Sequence, residues 1–273
     1  MIVLKRAEEL MKHRAQMGGR VGFVATMGAL HAGHLALIKR ARAENDHVIV
    51  SIFVNPTQFL PGEDFTRYPR KPEADAILCR AAGADLLFTP TPDVLYGKDE
   101  PIIKAPSVAG YVLEGHVRPG HFDGVLTVVM KLLNLTHPTK AYFGKKDAQQ
   151  LVLITQMARA FFLPVEIVPC ETERASGGLA LSSRNEYLTD AQKEEALKLS
   201  KALFEASRLI KQGQNDVKTL EAAMRTVLEP LSIDYAAITD RNLRPIETVI
   251  KGETLVLVAA RVGSVRLIDN MWV

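Results

Sequence analysis

Cysteine is scarce in this 273-residue chain: Cys79 and Cys170 are the only two, and they form no CxxC. That excludes a disulfide framework and a cysteine-based zinc site, and leaves two buried thiols. Long apolar runs are also missing. No segment approaches the roughly 20 residues a membrane-spanning helix needs, and the N-terminal stretch MIVLKRAEELMKHRAQMGG is broken by charge where a signal peptide would be apolar. The expectation is a cytoplasmic protein with no membrane partner. Charge of one sign is lacking too. The 34 Lys and Arg residues against 31 Asp and Glu leave a net charge of +3 with no polybasic run, which suits small anionic ligands better than nucleic acid. Repeats and low-complexity tracts are absent. What is plentiful is hydrophobic sequence, 47% of the chain, enough for a substantial core in one large domain or two smaller ones.

Short, nearly all-apolar runs at 21–26, 47–54, 84–89, 140–144 and 165–169 read as strands buried on both faces. Helical patterns at 34–44, 72–82, 124–135 and 147–161 alternate with them. Alternating β and α implies an α/β fold with a parallel sheet covered by helices, and ligands at the carboxyl ends of its strands. After Pro169 the pattern changes. A long amphipathic helix starts at a Thr189 or Asp190 cap and stops at Gly213, and a second is capped by Asn215 or Asp216. Three strand-like runs follow, IDYAAITD, ETLVLVAARVG and SVRLIDNMWV, expected to form a small antiparallel sheet. The boundary between domains is placed near residue 174, giving domains 1–173 and 174–273.

Chemistry concentrates where predicted strands end. In VGFVATMGALHAGHLALIKRA, Gly28 and Gly33 permit a tight strand-to-helix crossover, and the helix start offers N–H groups and a positive dipole end to phosphate. His31 and His34, three apart, share a helix face and can donate together to one polyphosphate. The alternatives are that one caps the helix while the other packs, or that both bind zinc with His116 or His121. In AYFGKKDAQQL, Lys145 and Lys146 can meet phosphate and Asp147 a ribose hydroxyl, although a solvated turn would look the same. In GLALSSRNEYL, Ser182 and Ser183 supply short donors and Arg184 a guanidinium fork suited to a triphosphate; the alternative is a polar turn with a capping serine. FVNPTQF places Gln58 just after a strand, where an amide can read hydroxyl and carboxylate groups, and EGHVRPGHFDGV adds Glu114 and Arg118.

Together TMGALHAGHL, SIFVNPTQF, RPGHFDGV, FGKKDAQQLVLI and LALSSRNEYL, in that order, resemble the pantoate–β-alanine ligase (pantothenate synthetase) family across nearly the whole chain. The resemblance implies a Rossmann-like N-terminal domain, a smaller α+β C-terminal lid domain and a homodimer. It also implies a two-step reaction: (R)-pantoate attacks the α-phosphate of ATP to give a pantoyl adenylate, which β-alanine then converts to pantothenate. By motif, His31 and His34 contact the ATP phosphates, Lys146 stabilises departing pyrophosphate, and Ser182, Ser183 and Arg184 close on the triphosphate. Gly144 and Asp147 hold the ribose, Gln58 and Gln150 read pantoate, Met27 lines the same pocket, and Mg²⁺ travels with ATP.

The chain departs from the family pattern at Ala25, Ala32, Lys145, Ala148 and Gly177. None of these removes an assigned catalytic group. Lys145 adds positive charge beside the phosphate site, and Gly177 is expected to loosen a hinge in ASGG, 175–178. The nearest alternative function is a nucleotidyltransferase acting on a phosphorylated alcohol, and a non-catalytic nucleotide-binding regulator is the alternative from another class. The glutamine pair and NPTQF point instead to a polyol acid without phosphate.

Overall fold

The computed structural model describes residues 1–273. The chain divides into two compact units, Met1–Gly144 with Leu153–Cys170, and Lys145–Val152 with Glu171–Val273. In the first unit lie β1 (Ile2–Leu4), α1 (Ala7–Ala15), β2 (Val21–Thr26), α2 (Ala32–Glu44), β3 (His47–Ile52), α3 (Pro72–Ala81) and β4 (Leu86–Phe88). Two single-turn helices, α4 (Pro92–Leu95) and α5 (Glu114–Val117), precede α6 (His121–Thr136) and β5 (Lys140–Gly144). Next, α7 (Ala148–Ala160) starts in the second unit and ends in the first, before β6 (Glu166–Cys170).

All six strands run parallel in the order β1-β4-β3-β2-β5-β6. The apolar runs forced that result: β2 and β3 are buried on both faces, which only a sheet covered on both sides satisfies. Val24, Ile38, Val48, Val50, Leu87 and Tyr142 belong to one of its cores. From β2 the chain lays β3 and β4 on one side and returns to place β5 and β6 on the other. The order therefore reverses between β2 and β5, where open α/β sheets form a ligand crevice beyond the strand ends. β1 was not foreseen in the sequence. It is three residues long, with Ile2 and Val3 about half exposed at the sheet edge, so neither length nor alternation marks it.

The second unit is α+β. Its sheet is antiparallel, β7 (Ser232–Asp240), β8 (Thr254–Val262) and β9 (Val265–Trp272), in sequence order. α8 (Asp190–Lys211) and α9 (Val217–Leu228) supply Leu199, Leu203, Leu220 and Met224 to a core shared with Val256 and Val258 of the central strand. The cap of α8 is Thr189, with Gln192 bonding back in a reciprocal box, and that of α9 is Asp216. Both cysteines are buried thiols outside any disulfide, and burial pushes the Cys79 thiol up to about 12.

Candidate active site

At the carboxyl end of β2 the chain makes a turn only a few side chains tolerate. Gly28 has φ +87° and Ala29 φ +49°, the left-handed region. The buried carboxylate of Asp75, on α3, holds this turn by accepting from the N–H groups of Ala29 at 2.9 Å and Leu30 at 2.8 Å. Successive N–H groups in a left-handed turn form an anion-binding nest, and here the protein fills it with its own carboxylate.

His31 then caps α2. Its Nδ1 accepts from the N–H of Gly33 at 3.2 Å, while Nδ1 of His34 accepts from the N–H of His31 at 3.3 Å. Their rings lie 4.1 Å apart, tilted by 35°. A ring that accepts at Nδ1 is neutral with its proton on Nε2. Capping uses Nδ1 of each ring, so donation to phosphate would fall to the other ring nitrogen, Nε2. The expectation that bare helix amides meet phosphate is altered, because the histidines take up N–H groups themselves.

Beyond β3, a short turn, Pro56–Gln58, carries Gln58, which is buried. Asn55 fixes the direction of the Gln58 amide. Its Oδ1 accepts from the Tyr96 hydroxyl at 2.7 Å and from Thr57, so its Nδ2 donates to Gln58 Oε1 at 3.1 Å and to the carbonyl of Gly124. Gln58 Nε2 therefore faces Met27 Sδ at 3.2 Å, bringing together the two residues assigned to pantoate in this unit. Thioether sulfur is a weak acceptor, so the amide keeps its donor strength for an oxygen-rich ligand.

The turn is held from behind. A Cβ on Gly124 of α6 would collide with Thr57 O and sit 2.6 Å from Thr57 C and 2.8 Å from Gln58 N, so only glycine admits this approach. His121 Nδ1 donates to the carbonyl of Gln58 at 2.8 Å and its Nε2 accepts from the Arg118 guanidinium at 3.1 Å. Burial first, then the charge of Arg118, pushes His121 down to about 4, so the ring is neutral. Arg118 is doubly bonded to Glu63 at 2.6 Å. Burial alone would raise Glu63; the bonds from Arg118 bring it below the usual carboxylate range. With both nitrogens of His121 engaged, this ring is no zinc ligand.

In the second unit, Lys145 and Lys146 form the turn that follows Gly144, the last residue of β5. Lys146 Nζ lies 3.3 Å from Asp147 Oδ1, and Gln150 is half-buried in the first turn of α7. The added charge of Lys145 is absorbed locally, since its ammonium pairs with Glu171 and lies 5.6 Å from the Trp272 ring centre. Ser182 accepts from the N–H of Arg184 at 3.3 Å, capping the turn Ser183–Tyr187, and Ser183 is buried. The segment around Gly177 is a closed turn: Ala175 and Leu179 are hydrogen-bonded, and Arg174 pairs with Ala180 and bonds to the carbonyl of Gly178.

A family model described as Pantoate-beta-alanine ligase matches residues 2–272. The chain belongs to this family. Its activity is the joining of pantoate to β-alanine. Curated relatives named pantothenate synthetase include that of Wolinella succinogenes, 57% identical, and that of Campylobacter fetus, 55% identical, each covering all of both chains. The solved pantothenate synthetase of Thermus thermophilus superposes with a TM-score of 0.94 at 43% identity over 99% of each chain. The pantoate–β-alanine ligase of Francisella tularensis, solved with β-γ ATP and β-alanine, gives 0.82 at 37% identity over 100% of this chain and 97% of that one. For this ligase, sequence reasoning missed Asp75, Asn55, Tyr96, Glu63 and the roles of His121 and Gly124. Asn55 stood in a motif read only for its glutamine, and nothing in sequence announces that Asp75 reaches back to residue 29.

Proposed function

We propose that this chain condenses pantoate with β-alanine through a pantoyl adenylate, using ATP, as a cytoplasmic homodimer of pantothenate biosynthesis. A pantoate carboxylate oxygen forms the new bond to the α-phosphorus, and the bond to pyrophosphate breaks. The β-alanine amine then attacks the acyl carbon, AMP leaves with the electrons of the carbon–oxygen bond, and the amine sheds a proton. The observation that carries this reading is in the first unit: two histidines whose Nδ1 atoms cap the start of α2 follow the end of β2, where strand order reverses, and Gln58, against Met27, lies just beyond the adjacent β3.

His31 and His34 donate to the nucleotide's phosphates, and Gln58 reads pantoate with Met27 beside it. From the second unit, Lys146 neutralises charge on departing pyrophosphate, Ser182, Ser183 and Arg184 bind the triphosphate, Gly144 and Asp147 meet the ribose, and Gln150 assists with pantoate. The C-terminal domain is the lid. No nucleophilic side chain is needed, because positioned donors and cations supply the stabilisation. Mg²⁺ would travel with ATP, held chiefly by the phosphate oxygens, as a hard cation prefers. Bound there, it would neutralise the polyphosphate.

Adenylate formation is reversible and does not need the amine. Labelled pyrophosphate should therefore exchange into ATP when pantoate and Mg²⁺ are present without β-alanine, and Lys146→Ala should slow exchange by roughly 10² to 10³. Exchange that ignores pantoate and requires a phosphorylated alcohol would establish the nucleotidyltransferase instead.

A further inference from the structure

Near the end of the chain, β9 places Asp269 and Asn270 side by side, both buried. Asn270 Nδ2 donates to two carbonyls, that of Lys145 at 2.9 Å and that of Lys146 at 2.6 Å. Those carbonyls belong to the two peptide planes that flank the α-carbon of Lys146. Pinning both planes fixes φ and ψ of Lys146, and with them the direction in which its side chain leaves the backbone. The amide cannot be turned over, because its oxygen would then oppose two acceptors. Its other end is left without compensation, since Asn270 Oδ1 is buried and has no hydrogen-bond partner. A buried orphan acceptor calls for a reason beyond packing.

The neighbours keep Asn270 in register. Asp269 accepts from the N–H of Asn270 at 2.8 Å and grips Arg174 with both oxygens, at 2.6 and 2.9 Å. Lys145 pairs with Glu171 and lies against the face of Trp272, whereas Lys146 pairs with its neighbour Asp147 at 3.3 Å.

We infer that Asn270 is a positioning residue that sets Lys146 for departure of pyrophosphate, an inference that rests on the role given to Lys146 above. The test uses pantoate-dependent exchange of pyrophosphate into ATP with the full-length Asn270→Ala, Lys146→Ala and doubly substituted chains. Asn270→Ala should slow exchange about tenfold while leaving amide formation from preformed pantoyl adenylate and β-alanine at its original rate. The double variant should be no slower than Lys146→Ala alone, because a residue acting through Lys146 has nothing left to position. Losses that multiply, or an equal fall in both half-reactions, would overturn the proposal, as would unaltered exchange in Asn270→Ala. Unaltered exchange in Lys146→Ala would instead remove the role of the lysine, and the inference with it. Asn270→Asp keeps the volume but loses the donors, and should repeat the pattern if the alanine variant does not fold. Failure of both to fold, judged by circular dichroism, would make Asn270 a folding residue and also overturn the proposal.

Discussion

The histidine turn after β2 and the glutamine turn after β3 lie beyond neighbouring strands of one sheet, yet they are built in opposite ways. In the turn, residues 26–34 do nearly everything: Gly28 and Ala29 reverse the chain, and His31 and His34 cap the helix with one ring nitrogen each. From outside, the carboxylate of Asp75 locks the turn's N–H groups. The glutamine turn has little local support. Gln58 is aimed by Asn55, which Tyr96 orients, and its backbone is seated by His121 and by the missing side chain of Gly124. A helix cap can be a local motif because its partners lie within a few residues of one another. A buried amide needs partners for its polar atoms, and those come from wherever the fold brings them.

If that contrast is right, changes in α6 should damage use of pantoate and leave nucleotide binding intact. The largest effect is expected for Gly124→Ala, whose methyl group meets backbone that cannot rotate away. Stability should fall by about 3 kcal/mol, the upper end for overpacking, and the KM for pantoate should rise while that for ATP stays put. Thermal melts and steady-state kinetics measure both. An equal rise in both KM values would mean that the two regions are not separable.

The next effect concerns pH. With His121 held down to about 4 from an ordinary 6.5, the unfolded chain takes up a proton below pH 6.5 that the folded one refuses. This contribution to stability is complete above pH 6.5 and is lost as pH falls toward 4, by about 2 kcal/mol once roughly pH 5 is reached. Denaturant titrations across that range should show the slope, and His121→Asn, which keeps an N–H toward Gln58 but does not titrate, should flatten it. The smallest effect is expected for Gln58→Ala, about a tenfold rise in the KM for pantoate, or about 1.4 kcal/mol, with a modest fall in melting temperature from the lost bond to Asn55. A rise for ATP instead would put Gln58 in the wrong half of the site.

How much of this was readable in advance follows the same division. HxGH between an apolar run and an amphipathic helix marks the histidines, because the spacing that puts them on one face is local. The two caps were readable to within one residue, the structure choosing Thr189 over Asp190 and Asp216 over Asn215, and the stop at Gly213 was readable for the same reason. Lys145 misled: alone it reads as extra charge beside phosphate, and only tertiary structure supplies Glu171 and Trp272 to absorb it. Asn270 carried no signal either, since an asparagine near the end of a strand has no local reason to hold two carbonyls more than a hundred residues earlier.

By itself, then, the sequence determined the alternation of buried strands and helices, the parallel sheet that follows from it, the second α+β unit, the placing of two histidines at a helix start, and the family. Each depends on periodicity, capping or contiguous motifs, which act over a few residues. Tertiary structure alone decided that Asp75 fills the nest behind His31, that His121 is neutral and bonded to Gln58, that Gly124 must lack a side chain, and that Asn270 holds the backbone of Lys146. Those outcomes depend on hydrogen bonds and close approaches between distant segments, which exist only once both partners have been buried together.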